Sequence, residues 1–288
     1  MKILVLGASG MLGNAMVRVL NEQPDWQVYG TIRSDRSKRF FNADITERLL
    51  SGVDVESHDS LLQVFNQIRP NIVINCIGLI KQLAEADDPL QVIPINALLP
   101  HRLARLCELI DARLVHMSTD CIFAGDKGGY RESDTSDAHD LYGRSKFLGE
   151  VSYPHTITLR TSIIGHELQS ANGLVDWFLS QQGRCNGYTK AIFSGLPTVA
   201  LARIVRDLVV PHAHLAGVYH VAAQPISKFD LLQIIAEVYG KKIEIMPSDQ
   251  LVIDRSLNAD RFNNATGYMA PSWPELIKIM HTYQLDLT

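Results

Sequence analysis

The sequence contains few cysteines, and their spacing suggests no shared role. Cys76, Cys107, Cys121 and Cys185 lie far apart among 288 residues and form neither a CxxC pair nor a zinc-like spacing. A disulfide framework is typical of short secreted chains with denser cysteines, so we expect a reducing compartment. The pattern predicts no metal site.

Long apolar runs and an excess of basic charge are also missing. The apolar run near the N-terminus stops at Gly7 and is too short for the hydrophobic region of a signal peptide. No segment approaches the roughly 18 apolar residues of a membrane span. The net charge of −4 disfavours a nucleic-acid-binding surface. We therefore expect a cytoplasmic protein that binds neither membranes nor nucleic acids.

Short apolar runs alternate with helical patterns along the chain. The candidate strands are apolar on both faces, which is typical of a parallel sheet covered by helices on both sides. They lie at Ile3–Leu6, Gln27–Ile32, Gly52–Val55, Ile72–Cys76, Arg113–Met117, Thr156–Leu159 and Val218–Ala222. The helical patterns lie at Met11–Asn21, Ser60–Ile68, Asn96–Leu109, Tyr142–Val151 and Ser227–Tyr239. The sequence predicts an α/β fold with a doubly wound parallel sheet of the Rossmann type.

Three glycines follow the first candidate strand. Gly7, Gly10 and Gly13 have the spacing GxxGxxG and precede the first helical pattern. Glycines at such a turn let the pyrophosphate of a dinucleotide approach the backbone and the helix N-terminus. The same residues could serve only a tight turn, but their position after an N-terminal strand favours dinucleotide binding. We expect the turn to hold the cofactor through these glycines and through Ser9, Met11 and Leu12.

The end of the second candidate strand helps to distinguish NADP(H) from NAD(H). NAD binding calls for an acidic residue that accepts a hydrogen bond from the ribose 2′-hydroxyl. The sequence has Arg33 at this place, with Arg36 and Lys38 nearby. An arginine suits a 2′-phosphate, so NADP(H) is favoured over NAD(H), although these side chains could simply be solvated.

Two further strand ends are expected to contact the cofactor. Asp54 and Val55, at the end of the third candidate strand, are placed to flank the adenine. The turn of Cys76, Ile77 and Gly78 could let the backbone pass over the cofactor.

The composition changes after about Thr161, where Ser, Gly, Asn and Gln become more frequent. We expect residues 1–160 to form the dinucleotide-binding core. Residues 161–288 should form mainly a smaller, interleaved C-terminal lobe that binds the substrate, with residues 199–223 returning to the core.

Tyr142 and Lys146 form the single YxxxK pattern of the chain. At positions i and i+4 they share one face of a helix. A tyrosine hydroxyl titrates near 10 and is a weak acid at neutral pH, but a neighbouring ammonium stabilises the phenolate. YxxxK alone is a weak signal. Its place after the fifth strand favours general acid–base chemistry.

Thr119 follows the fifth candidate strand, in the stretch STDC that ends an apolar run. In an open α/β fold, ligands bind at the carboxyl ends of the strands. A hydroxyl there could polarise the carbonyl oxygen that Tyr142 protonates. The other interpretation is that Ser118, Thr119 and Asp120 only cap turns.

The motifs GASGMLG, STDCIFAG and YGRSKFLGE together resemble those of an extended short-chain dehydrogenase/reductase. More narrowly, they resemble the dTDP-4-dehydrorhamnose reductase family, and the likeness continues through LRTSIIG and FSGLPT to DRFNNATGYMAPSW. The resemblance implies hydride transfer from NAD(P)H to the 4-keto carbon of a nucleotide-linked 6-deoxy sugar, for cell-surface polysaccharide precursors. It implies Thr119, Tyr142 and Lys146 as the catalytic set, and it allows a homodimer.

The resemblance also implies a set of substrate contacts. These are Asn172, Ser194, Gly195, Thr198 and Arg203, and we expect Thr119, Asp120 and Lys81 to lie at the sugar as well. The segments CIGLIKQ and HELQSANGLVDWF depart from the family pattern, so the sugar and its nucleotide stay open.

Three other functions, two catalytic and one regulatory, fit the same fold. Sugar-nucleotide dehydratases carry a Glu where this chain has Cys121, so elimination is disfavoured. A 4-epimerase uses the same Tyr and Lys but keeps NAD bound, which Arg33 disfavours. A non-catalytic NADP-binding regulatory subunit, such as that of methionine adenosyltransferase, retains much of the motif set and stays an alternative.

Overall fold

The computed structural model describes residues 1–80, 87–169, 171 and 173–285. The strands are β1 (Lys2–Leu6), β2 (Gln27–Ile32), β3 (Leu49–Ser51), β4 (Ile72–Asn75), β5 (Arg113–Thr119), β6 (Thr156–Thr161), β7 (Ile163–Ile164), β8 (Arg184–Tyr188), β9 (Ala191–Phe193), β10 (Leu196–Pro197), β11 (Gly217–His220), β12 (Ile226–Ser227), β13 (Glu244–Ser248) and β14 (Ile253–Asp254). The α-helices are α1 (Met11–Leu20), α2 (Ala43–Thr46), α3 (His58–Ile68), α4 (Pro89–Val92), α5 (Leu99–Leu109), α6 (Leu141–Leu148), α7 (Leu174–Ser180), α8 (Thr198–Ile204), α9 (Lys228–Val238), α10 (Asp260–Thr266) and α11 (Trp273–Leu285).

Seven strands form one sheet in the order β11-β6-β5-β4-β1-β2-β3. β1 pairs in parallel with β2 and with β4, and the parallel pairing continues from β2 to β3 and from β4 to β5. The order reverses direction at β1, which is the topological switch point of a doubly wound sheet. The predicted fold class is confirmed.

The sheet core follows from strands that are apolar on both faces. The four residues of β1 from Ile3 to Leu6 are fully buried. Leu4 and Leu6 pack in a cluster with Leu61, Phe65 and other side chains of the neighbouring helices. α3 buries Leu61, Val64, Phe65 and Ile68, the i, i+3, i+4, i+7 spacing of an amphipathic helix.

The third strand lies earlier than the sequence predicted. It spans Leu49–Ser51, where Leu49 is in register with Gly30, and not Gly52–Val55. Gly52 has a φ of 72°, a left-handed conformation in which the chain turns away from the sheet. Asp54 and Val55 therefore lie in the loop that follows β3 instead of ending it.

The predicted helix Asn96–Leu109 begins earlier and is not uniform. α4 leads into a π-helical turn at Ile93–Leu98, which continues as α5. Pro94 and Pro100 lie in this stretch. A proline removes one intrahelical N–H, which loosens the i→i−4 ladder.

The chain divides into two compact units. The first consists of Met1–Ser118, His139–Leu159 and Ala202–Val218, and the second of Thr119–Ala138, Arg160–Leu201 and Tyr219–Thr288. The assignment of cofactor binding to residues 1–160 and of substrate binding to 161–288 stays a prediction.

Residues Thr119–Ala138, which the sequence placed in the core, belong to the second unit. The reason is packing against residues that are distant in the chain. Tyr130 stacks on Phe123 and forms an isolated parallel bridge with Leu257, and Ala222 joins the same buried cluster. No local pattern in the sequence reports such contacts.

Small sheets organise the second unit. β9 pairs antiparallel with β12 and parallel with β14, and β8 pairs with β13. α9 begins after Ser227, whose Oγ accepts a hydrogen bond from Asp230 N at 3.0 Å and thereby caps the helix. Among the described helices, none has both the length and the apolar composition that crossing a bilayer requires.

Candidate active site

The glycine turn joins β1 to α1 in the first unit. Gly7 has a φ of 83°, and its N–H donates to Thr31 Oγ1 at 3.1 Å. A Cβ on Gly13 would lie 2.0 Å from Gly7 O, so only glycine lets the helix pack this close to the turn. Within the described part of the chain, no side chain caps α1 at Gly10, and its first turn holds no acidic residue. Such a helix start leaves N–H groups for an anion, and it fits a pyrophosphate.

Arg33 lies directly after β2 and is exposed. A 3-10 turn follows at Asp35–Phe40, in which Arg36 and Arg39 are also exposed. Lys38 forms a hydrogen-bonded ion pair with Asp35, with 2.6 Å between Nζ and Oδ1. This hydrogen bond lowers the pKa of Asp35. Arg33 thus presents a guanidinium at the strand end where the 2′-position of the adenosine is expected.

The turn after β4 lies close to the YxxxK helix. Asn75 is buried, and its Oδ1 accepts from Ile77 N at 3.1 Å while its Nδ2 donates to His116 Nδ1 at 3.1 Å. A Cβ placed on Gly78 would lie 3.7 Å from Lys146 Nζ. The structure therefore brings the predicted cofactor residues Cys76–Gly78 beside the predicted catalytic lysine. Asp54 is exposed in its loop, and Val55 packs against the core cluster.

Tyr142 and Lys146 lie on α6, which begins after the N-cap Asp140. Lys146 is only 5% exposed, and its Nζ donates to Met117 O at 2.7 Å. Burial lowers the pKa of Lys146 to about 8, while Glu150 and Cys76 act in the opposite direction. The ammonium is thus mostly charged at neutral pH, one helical turn from the half-buried Tyr142. Such a charge favours the phenolate that remains after Tyr142 gives up its proton.

Asn96 was missed by sequence reasoning. It lies in the π-helical turn and is 1% exposed. Its Oδ1 accepts from Leu79 N at 2.9 Å, and its Nδ2 donates to Leu79 O at 3.0 Å and to Ser145 Oγ at 3.3 Å. One amide thus ties the turn after β4 to the helix of Lys146. Nothing local in IPINA marks this residue, because both partners are distant in sequence.

Ser118 has a partner that explains part of the polar strand end. Its Oγ donates to Glu150 Oε1 at 2.7 Å, just after α6. Because the Glu150 carboxylate favours the charged form of Lys146, this hydrogen bond also supports the ammonium. The interaction of Glu150 with Lys146 could have been predicted from the sequence, since Glu150 lies four residues after Lys146.

Thr119 and Asp120 lie in the second unit and are each 8% exposed. Thr119 Oγ1 accepts from Cys121 N at 3.1 Å and donates to Asp120 Oδ1 at 3.2 Å. Burial raises the pKa of Asp120, and the nearby Arg255 opposes that shift. Burial, together with the Asp120 charge, raises the pKa of Cys121 to about 12, so the thiol is neutral at physiological pH.

The remaining predicted substrate contacts have different surroundings. Ser194 is 2% exposed and its Oγ accepts from Leu257 N at 3.0 Å, so it supports backbone of its own unit. Gly195 is packed so tightly that a Cβ would lie 2.2 Å from Ser162 O. Thr198 is buried, and Arg203 is exposed. Lys81 and Asn172 lie outside the described residues.

Three curated relatives align with most of the chain. The probable low-salt glycan biosynthesis reductase of Haloferax volcanii is 27% identical over 90% of this chain and 85% of its own length. The dTDP-4-dehydrorhamnose reductase of Mycolicibacterium smegmatis is 27% identical over 83% of this chain and 69% of its own. The methionine adenosyltransferase 2 subunit beta of Danio rerio is 25% identical over 87% of this chain and 76% of its own.

Solved structures share the fold. The dTDP-4-dehydrorhamnose reductase of Clostridium acetobutylicum superposes with a TM-score of 0.82 at 21% identity, covering 99% of this chain and 100% of its own. That of Bacillus anthracis, in complex with NADP, gives 0.80 at 22% identity and 98% of both chains. The Bordetella bronchiseptica enzyme WbmG, in complex with NAD, gives 0.77 at 17% identity, covering 99% and 94%.

A family model settles the relationship that these pairwise similarities suggest. The model of the RmlD substrate binding domain matches residues 1–266, which include the glycine turn, the STDC stretch and the YxxxK helix. The chain belongs to the RmlD substrate binding domain family.

Proposed function

We propose that the protein is an NADPH-dependent reductase that converts the 4-keto group of a nucleotide-diphosphate 6-deoxy sugar to a hydroxyl. Membership of the RmlD family and the similarity to dTDP-4-dehydrorhamnose reductases support this reaction class.

Reduction of a ketone adds a hydride to carbon and a proton to oxygen. The bound dinucleotide supplies the hydride. Tyr142 gives its phenolic proton to the oxygen, and Lys146 stabilises the phenolate that results. Thr119 donates a hydrogen bond to the carbonyl oxygen, which polarises the bond before the transfer.

The buried ammonium of Lys146 is the observation that carries this proposal. A charged group that is 5% exposed lowers protein stability unless it has a full set of partners, so a buried ammonium of this kind is typical of a functional site. Lys146 keeps one backbone acceptor, Met117 O, and lies beside the turn at Gly78. Its remaining N–H donors suit hydroxyls of a cofactor ribose.

The state of Cys121 argues against elimination. A dehydratase needs a base at this position, and a thiol whose pKa is raised to about 12 is protonated at neutral pH. The protein is therefore proposed to reduce a 4-keto sugar and not to form one.

The preference for NADP(H) rests on the cationic end of β2. Arg33, Arg36 and Arg39 are exposed there, while the carboxylate of Asp35 is held by Lys38. A guanidinium binds a 2′-phosphate through paired charge-assisted hydrogen bonds. Thermal-shift titrations with NADPH and NADH test this preference, because a ligand that binds the folded state raises its midpoint. Equal shifts with both dinucleotides would argue against it.

The reaction is tested by following NADPH fluorescence after a dehydratase-generated 4-keto sugar nucleotide is added. We expect oxidation by the wild type, no oxidation by Tyr142→Phe, and equal NADPH binding by both. Tyr188→Phe, a half-buried tyrosine on β8, is the matched control and should behave as wild type.

A non-catalytic NADP-binding role is the second candidate, favoured by the similarity to the methionine adenosyltransferase 2 subunit beta. It predicts NADPH binding without oxidation by any 4-keto sugar nucleotide, and identical behaviour of wild type and Tyr142→Phe. The two outcomes exclude each other in the same assay.

We further infer that the enzyme works in the cytoplasm on precursors of surface polysaccharides. Free thiols at all four cysteines fit a reducing compartment. A homodimer is part of this proposal and can be checked by analytical ultracentrifugation.

A further inference from the structure

Asn75, the last residue of β4, lies beside His116 of β5 in the parallel ladder. Both residues are fully buried, and Asn75 Nδ2 lies 3.1 Å from His116 Nδ1. The oxygen of the same amide faces the turn after β4, because Asn75 Oδ1 accepts from Ile77 N at 3.1 Å. One amide therefore joins a buried imidazole to the backbone of that turn.

The directions of these two hydrogen bonds fix the state of the His116 ring. A backbone N–H only donates, so the atom of Asn75 that faces Ile77 is its oxygen, and its NH2 group faces His116. Because that group only donates, His116 Nδ1 accepts through its lone pair, and the ring proton lies on Nε2. A protonated ring would set two donors against each other. Burial lowers the pKa of His116 well below its ordinary value, and Lys146 and His101 act in the same direction, which agrees with a neutral ring.

The other ring nitrogen makes no hydrogen bond within the part of the chain that the structure describes. His116 Nε2 is buried and has no partner there. A buried N–H without an acceptor lowers stability, and a leucine at this position would bury no such group. The hydrogen bonding of the ring is thus confined to Nδ1, so its contribution passes through the amide of Asn75.

The turn that Asn75 holds lies between the glycine turn and the YxxxK helix. A Cβ placed on Gly7 would lie 2.9 Å from Ile77 Cγ1. A Cβ placed on Gly78 would lie 3.7 Å from Lys146 Nζ. The hydrogen bond at Ile77 N therefore sets where this turn lies relative to the turn expected to hold the pyrophosphate and to the lysine expected to hold the ribose.

We propose that His116 is a positioning residue for a nicotinamide dinucleotide: its Nδ1 keeps the amide of Asn75 in the orientation that holds Ile77 N, and thereby shapes the turn of residues 76–78. The inference rests on the proposed function in one respect, since it takes the dinucleotide to bind at this turn. His116 itself touches neither cofactor nor substrate and transfers no proton. Without an acceptor at position 116, the NH2 group of Asn75 is left unpaired, so the side chain turns to another partner and releases Ile77 N.

Asparagine and leucine at position 116 separate the acceptor from the packing. Asparagine carries Oδ1 as many bonds from the backbone as histidine carries Nδ1, whereas leucine fills the site without an acceptor. In isothermal titration calorimetry we expect His116→Leu to raise the Kd for NADPH about fivefold or more, and His116→Asn to stay within about twofold of wild type. In turnover with a 4-keto sugar nucleotide, the KM for NADPH should rise with the Kd while kcat changes less, because Lys146 keeps its own acceptor, Met117 O.

Two comparisons show whether His116 acts through Asn75. In an Asn75→Leu background, His116→Leu should raise the Kd no further, since the amide through which it acts is gone. His155→Leu is the matched control, because His155 is half-buried in the same unit and its Nε2 donates to Ala104 O at 2.8 Å. This control should lower stability and leave the Kd unchanged. An unchanged Kd in His116→Leu, equal rises in the Asn and Leu variants, or additive effects with Asn75→Leu would overturn the proposal.

Nitrogen-15 NMR of the histidine rings tests the same arrangement without any ligand. In wild type labelled at histidine, the signals that His116→Asn removes should show a neutral ring with its proton on Nε2. A charged ring, or a neutral ring protonated at Nδ1, would overturn the proposal whether or not the leucine variant folds. A wild type that binds NADPH with the expected differences among the variants, but reduces no 4-keto sugar nucleotide, would instead refute the proposed function and leave this inference standing.

Discussion

Replacing Lys146 by methionine should change the stability of the protein in a pH-dependent way. Lys146 is buried, and burial lowers its pKa from the ordinary value of about 10.5 to about 8 in the folded state. Below about pH 8 the folded and unfolded chains both carry the charge, so folding bears the full desolvation cost. Between about pH 8 and 10.5 the unfolded chain binds the extra proton, and the stability of the wild type therefore rises with pH.

The size of the effect follows from the two pKa values. Between about pH 7 and about pH 10, the wild type should gain about 2 to 3 kcal/mol relative to Lys146→Met. At neutral pH the two proteins should be similarly stable. Methionine removes the desolvation cost but leaves Met117 O without its donor, which costs about 1 to 3 kcal/mol.

Urea unfolding at several pH values measures this difference. Lys242→Met, at an exposed lysine, serves as the control and should show a difference from wild type that does not vary with pH. A pH-independent difference for Lys146→Met, or one of opposite sign, would refute the idea that Lys146 of α6 carries a desolvated ammonium.

Three further changes test the cofactor site. Gly13→Ala should lower the free energy of unfolding by roughly 3 kcal/mol or more, because its Cβ would meet Gly7 O. Gly10→Ala is the control, since its Cβ would lie 3.4 Å from Gly7 O, and it should leave the free energy of unfolding in urea nearly unchanged. Equal losses of stability in the two variants would contradict this account. Asn96→Leu leaves the backbone groups of residue 79 unpaired and should cost about 2 to 4 kcal/mol in the same assay, so a neutral result would deny its bridging role. Arg33→Glu should raise the KM for NADPH about tenfold or more while changing that for NADH little, and parallel changes in both would remove the basis for NADP preference.

The sheet could be predicted because its signals are local. The apolar run Ile3–Leu6 and the spacing of buried residues in α3 both report directly which faces are covered. Thr119 and Lys146 could be proposed as site residues because Thr119 ends β5 and Lys146 lies on α6, the next α-helix along the chain.

Features that depend on distant contacts could not be predicted. β3 is defined by its register with β2 and ends before Gly52, which is left-handed. The sequence placed this strand at Gly52–Val55, which includes the apolar Val53. The role of Asn96 depends on Leu79 and Ser145, which meet only in the folded chain. The same holds for Arg255, whose effect on Asp120 joins residues that are far apart in sequence.

The fate of the cofactor hydride tests the central claim most directly. The wild type is incubated with NADPH that carries two deuterium atoms at C4 of the nicotinamide, together with a 4-keto sugar nucleotide. We predict a product that contains one deuterium, bound to C4 of the sugar, and no labelled product from Tyr142→Phe. A wild type that binds this NADPH but yields no deuterated sugar would contradict the assignment as a 4-keto reductase.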